Sequence, residues 1–181
     1  MPHPLKITGM AVLLFLYSCS AQKFTSSQPE LKLLPPAEGP KAVLLKRRIT
    51  LQRGGKQVQF LLVARFDQNR LKLVGLSPTG QKLLVLDYDG EELVQETSLW
   101  VDVPGKEILA VIQFALWPGQ SINNWYPEKE GWQVDISPEK RILLTVAGVL
   151  LNISYEGEKI IIDNYLHEYR VLVHMLEKTE L

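Results

Sequence analysis

The sequence predicts a mainly β (α+β) domain, a single curved antiparallel sheet of about ten strands that forms a partial barrel with one helix inserted on its concave side. Three features of the chain lead there. Between residues 57 and 97 apolar and polar side chains alternate with a period of two, broken by tight turns. At Pro104 the period lengthens to that of a helix, and from Gly131 onward the strand period returns. A sheet that long curls, and a helix with one apolar face has to lie against something, so the economical packing puts the helix inside the bend.

The elements follow in order. Residues 42–53 form a first strand, with Leu45, Ile49 and Leu51 on one face and Lys46, Arg48 and Thr50 on the other. Arg47 and Arg48 read as exposed charges that keep an edge strand from pairing with another chain, or else as a basic patch for an acidic lipid head. Gly54-Gly55 is a two-residue hairpin. In the next strand Val58, Phe60, Leu62, Ala64 and Phe66 share a face opposite Gln57, Gln59 and Arg65. Turns at Asp67-Gln68-Asn69, at residues 77–81 and at Asp89-Gly90 then separate strands 70–76, 82–88 and 91–97. Pro104 stands in the first turn of a helix whose apolar face is Ile108, Leu109, Val111, Ile112, Ala115 and Leu116. Trp117-Pro118-Gly119 ends it, and Ser121 is the expected N-cap of a short second helical turn carrying Ile122 and Trp125. Five further strands, 132–136, 141–146, 149–155, 159–165 and 169–176, complete the sheet.

Composition narrows the function. With 20 basic and 20 acidic side chains, nothing steers the chain toward nucleic acid. A single cysteine, Cys19, excludes an intramolecular disulfide and a cysteine-based metal site. His167 and His174 stand too far apart, without a cysteine, to suggest a metal centre. Gly75-Leu76-Ser77-Pro78 lacks the glycine a nucleophile elbow needs, and residues 87–91 lack the ligands of a calcium loop. Nothing brings Asp135 to Asp163 as an acid and base pair. Neither catalysis nor a cofactor nor a metal is therefore expected. The aromatic residues are more telling: Trp100, Trp117, Trp125 and Trp132 flank the helix, and with Phe60, Phe66 and Phe114 they either line the mouth of a hydrophobic cavity or fill the core beneath it. The candidate cavity and lid residues are Phe60, Leu62, Phe66, Ile108, Val111, Ile112, Ala115, Trp117, Ile122 and Trp125.

The start of the chain carries a motif of its own. Its run of about 10 apolar residues, 7–16, falls short of the roughly 20 that span a bilayer core and suits a secretory signal. The run ends in Leu16-Tyr17-Ser18-Cys19, which resembles the lipobox of bacterial lipoproteins. That resemblance implies a signal peptide over residues 1–18, acylation of Cys19 and, with Ser20 following, an address in the outer membrane facing the periplasm. One acyl chain holds marginally, while two or three hold firmly. Residues 19–40, with Pro29, Pro35, Pro36 and Pro40, read as a lipidated flexible tether whose leucines reach the sheet, and residues 41–181 as the domain.

The order of elements is similar to that of the periplasmic lipoprotein-localisation factors LolA and LolB, a half-barrel with a helical lid over a cavity for acyl chains. Residues 70–73 and 83–86, Trp117-Pro118 with Ser121, Ile122 and Trp125, and residues 160–165 carry the likeness. Closer still is the resemblance to domain of unknown function 3261, a family of predicted outer-membrane lipoproteins, on Gly80-Gln81, residues 108–110, Trp117-Pro118 and Asn164-Tyr165. Its members often accompany gene clusters for aryl polyene lipids, so the resemblance implies a part in envelope lipid traffic. The loop at residues 77–81 has no large apolar side chain at its tip, unlike the membrane-reaching loop of the LolB type. The partners implied are outer-membrane lipid through acylated Cys19, a lipid or acylated ligand in the cavity, or, in an alternative reading, an envelope protein on which a filled domain docks.

Overall fold

The computed structural model describes residues 29–98 and 103–181 of the chain. Cys19 with its lipobox, and Trp100, lie outside them. The strands are β1 (Val43–Arg53), β2 (Lys56–Phe66), β3 (Leu71–Leu76), β4 (Lys82–Tyr88), β5 (Leu93–Thr97), β6 (Trp132–Ile136), β7 (Lys140–Thr145), β8 (Gly148–Glu156), β9 (Lys159–Asn164) and β10 (Tyr169–Glu180). All ten belong to one antiparallel sheet in the order β5-β4-β3-β2-β1-β10-β9-β8-β7-β6. The sheet is thus two five-strand meanders, joined where the first strand pairs with the last. The long strands, of 11, 11 and 12 residues, are β1, β2 and β10 at the centre, and both edges are short strands of 5 residues. Short edges offer little template for a stray strand.

Between the meanders the chain crosses the sheet as two helices, α1 (Gly105–Leu116) and α2 (Gly119–Trp125). The sheet has to bend around them. Gly105 abuts Leu86 of β4 and Gln95 of β5, while the other end of α1 is bonded to Arg141 of β7 and Tyr155 of β8. A 12-residue helix is ~18 Å long, whereas β4 and β7 would stand ~34 Å apart in a flat sheet. The strands therefore curl into an open half-barrel with α1 in its hollow. Inward-facing residues of both meanders and of both helices form one core, among them Phe66, Leu73, Leu86, Leu143, Ile153, Phe114 and Ile122. Gly54 and Gly55, at φ 55° and 75°, make the predicted hairpin between β1 and β2.

Three expectations change. β1 is the centre of the sheet, so Arg47 is not an edge charge; it shares the inward parity of Leu45, Ile49 and Leu51 and is buried. Ser121 lies inside α2, not at its N-cap, because Pro118 takes the cap position and Ile122 N–H bonds to its carbonyl; the Ser121 hydroxyl donates to Glu38 O. Part of the stretch expected to be a flexible tether whose leucines reach the sheet is docked: Leu31, Leu34 and Pro36 are buried, Leu34 is bonded to Gln113 of α1, and Gly39 lies so close to the Trp117 indole that an added Cβ would sit 2.8 Å from it. Leucines spaced among prolines have little entropy left to lose in an extended conformation, and burying them offsets the rest.

Candidate functional site

Between α1 and the concave face lies a hollow of ≈110 Å³. Its walls are Leu45, Arg47, Ile49 and Leu51 of β1, Phe60, Leu62, Ala64 and Phe66 of β2, and residues of β4, β9 and β10; Ile108, Val111, Ile112, Ala115 and Leu116 of α1 form its roof. The wall is apolar because the odd residues of β1 and the even residues of β2 meet on one face, through pairs such as Ile49 with Phe60 and Leu45 with Ala64. Apart from Arg47 and Tyr169 the lining is apolar, and a bound water needs two to four polar partners, so most of the hollow offers water little. The space is roughly eight times the ~10–15 Å³ one water requires and well under the ~300–1,000 Å³ of a pocket enclosing a whole ligand. The hollow at rest is thus too small to enclose a long alkyl chain.

The roof is held at one end and strapped along its back. The last carbonyls of α1, which have no partner within the helix, accept from Arg141 Nη1 (Phe114 O at 2.8 Å, Trp117 O at 2.7 Å) and from Tyr155 Oη (Ala115 O at 2.7 Å). Arg141 also lies over the Tyr155 ring, 5.8 Å from its centroid. Along the back, buried Gln113 donates to Leu34 O at 2.6 Å and accepts from Leu34 N–H at 2.9 Å. Lys32 N–H donates to Tyr126 Oη at 3.0 Å, and Trp125 Nε1–H donates to the Glu38 carboxylate at 2.9 Å. Residues 31–39 are thus clamped to both helices. Edge-on aromatic contacts, Phe66 with Trp117, Phe114 with Tyr126 and Tyr126 with Trp132, tie the helices to β2 and β6.

Residues 44–177 match the family described as Protein of unknown function (DUF3261). The chain belongs to that family. No curated protein matches it in sequence. Among solved structures it is similar to a LolA superfamily protein from Nitrosomonas europaea, with a TM-score of 0.46 and 8% identity over 81% of this chain and 90% of that one. It is also similar to a DUF1329 family protein from Desulfovibrio piger, with a TM-score of 0.30 and 9% identity over 77% of this chain and 85% of that one.

In this DUF3261 chain the residues proposed from sequence divide into two sets. Phe60, Leu62, Phe66, Ile108, Val111, Ile112 and Ala115 line the hollow together. Trp117, Ile122 and Trp125 do not; Trp117 and Ile122 are core filler, and half-buried Trp125 fastens Glu38. Sequence reasoning missed Arg47, together with Leu51, Leu84, Ile160, Ile162, Tyr169, Val171 and Val173. The parity of Arg47 with Leu45 and Ile49 was the available signal.

The first turn of α1 carries a second polar feature. Glu107, buried, accepts from Asn164 Nδ2 at 3.2 Å, and Asn164 Oδ1 accepts from His167 N–H at 2.9 Å. His167 Nε2 is 3.7 Å from the Glu107 carboxylate, an ion pair only if the imidazole is protonated. Burial and nearby Arg53 push the His167 pKa down, and burial, offset in part by Asn164, pushes Glu107 up. Both shifts disfavour charge, so this is a polar plug at the α1 N-terminus. No group of three or more histidine, cysteine, aspartate or glutamate residues arranged to hold a metal occurs among the described residues.

Proposed function

We propose that this chain is a non-catalytic envelope lipoprotein that binds and passes on a hydrophobic, acyl-bearing molecule. The observation that carries this reading is the apolar hollow between α1 and the concave face of the sheet. Binding is reversible burial: each Å² of alkyl surface taken from water contributes ~25 cal/mol. Entry requires α1 to rise, and its C-terminal bonds to Arg141 and Tyr155 make that end the natural pivot. Acylation of Cys19 would hold the domain at the outer membrane, facing the periplasm, beside its lipid source. The family resemblance suggests aryl polyene or related envelope lipids as the cargo.

One observation favours a second reading, a module that docks on an envelope enzyme or assembly machine: the hollow at rest is smaller than a whole acyl chain. Mass spectrometry of lipids extracted from exported Cys19→Ala protein separates the two. The carrier reading expects an acyl species near one per chain. Extraction of none, together with no binding of a fluorescent fatty-acid probe, would overturn it in favour of docking. Labelled palmitate should enter the wild-type protein and not the Cys19→Ala form; equal labelling removes the anchor.

A further inference from the structure

Among the described residues, Arg47 is the one charged residue lining the hollow. It sits midway along β1, opposite Leu62 of β2 and Met175 of β10, with Leu45 and Ile49 as its inward neighbours. Only 7% of it is exposed. Its Nη1 is buried and has no hydrogen-bond partner, and no ion pair reaches the side chain among the described residues.

Folding alone does not explain such a residue. A buried cation is tolerable only when paired, and replacing it with an apolar side chain of similar volume usually stabilises. A lysine could shed its proton, but a guanidinium keeps its charge even where burial works against it. The group is therefore a standing demand for an anion, and its planar fork fits two oxygens of a carboxylate or phosphate at once. The space before it is apolar and bounded by Ile49, Leu62, Ile108 and Ile112.

We infer that Arg47 is the head-group site of the hollow, taking the anionic end, carboxylate or phosphate, of a single-chain amphiphile whose alkyl part lies under α1. The inference rests on the carrier reading above and adds the class of cargo. It also sets polarity: the charged end is buried at the middle of the sheet, and the chain runs outward between helix and wall.

The test uses full-length Cys19→Ala protein with Arg47 intact or changed to Met, titrated with palmitate, hexadecyl phosphate and hexadecanol below their aggregation limits. A charge-assisted hydrogen bond in a water-poor site corresponds to about a tenfold or greater preference for an anionic probe over the alcohol. Arg47→Met should abolish that preference, bringing palmitate and hexadecanol affinities within about twofold of each other, and the tighter of the two anions on the parent identifies the head group. The variant should melt no lower than the parent, and palmitate should raise the melting temperature of the parent by more than that of the variant. Equal affinity of the parent for palmitate and hexadecanol, or a preference that survives Arg47→Met, overturns this inference and leaves the carrier reading standing. Failure of all three probes to bind overturns both.

Discussion

Replacing Gln113 with methionine tests the strap that holds the roof. Gln113 is 0% exposed and makes two bonds to Leu34, one given and one received. Methionine keeps the length of the side chain and removes both. If residues 31–39 come free, the loss is two net hydrogen bonds, ~1 kcal/mol each, plus part of the burial of Leu31 and Leu34, ~1.5–3 kcal/mol each. If the segment stays docked, the Leu34 N–H and C=O are orphaned at ~1–3 kcal/mol apiece. The cheaper route sets the outcome, so the loss should be ~2–4 kcal/mol. Urea unfolding at an unchanged slope measures it. Trypsin cleavage after Lys32, whose backbone is bonded to Tyr126, should quicken in the folded variant. A loss under ~0.5 kcal/mol with unchanged cleavage at Lys32 would refute the clamp.

Filling the hollow should separate stability from binding. Ala115→Leu adds three carbons to the cavity roof and should stabilise by ~1–2 kcal/mol while weakening fatty-acid binding, whereas in a core already filled it would destabilise by ~1–3 kcal/mol. At the α1 C-terminus, Tyr155→Phe should cost ~1 kcal/mol and Arg141→Met ~2 kcal/mol, with a double variant less than additive because the two side chains touch; full additivity in urea unfolding argues against a shared cap. The Glu107 carboxyl is held above its ordinary 4.5 by burial, so from 4.5 up to its raised value the folded chain keeps a proton the unfolded chain has lost, and stability falls as pH rises. His167, held below 6.5, contributes the opposite slope, so the Glu107→Gln variant isolates the first: its stability relative to the parent should grow as pH rises above 4.5, and parallel stability curves would contradict the buried carboxyl.

The extended elements were legible because their signals are local. Alternation in β2, the Gly54-Gly55 turn and the change of period after Pro104 each depend on residues a few positions apart, and together they place ten strands and the main helix. Strand parity in β2 and helical spacing in α1 picked out Phe60, Leu62, Phe66, Ile108, Val111, Ile112 and Ala115, and missed the wall that β1, β4, β9 and β10 supply. What was not legible depended on pairing over long distances. Prolines around Leu31 and Leu34 read as a leash, because nothing nearby announces that Gln113, 79 residues beyond Leu34, and Tyr126, 94 residues beyond Lys32, bond to those two backbones.

Arg47 shows the division most clearly. Its parity with Leu45, Ile49 and Leu51 is written in the chain, and so is the apolar character of everything it faces once β1 and β2 meet. Whether that face looks into solvent or into a cavity was decided by the pairing of β1 with β10, which turns a terminal strand into the middle of the sheet. Periodicity is a property of neighbours along the chain, so composition and spacing determine it. Burial is a property of neighbours in space, and only the closed contact between the first strand and the last puts a charge where little of it is left to water.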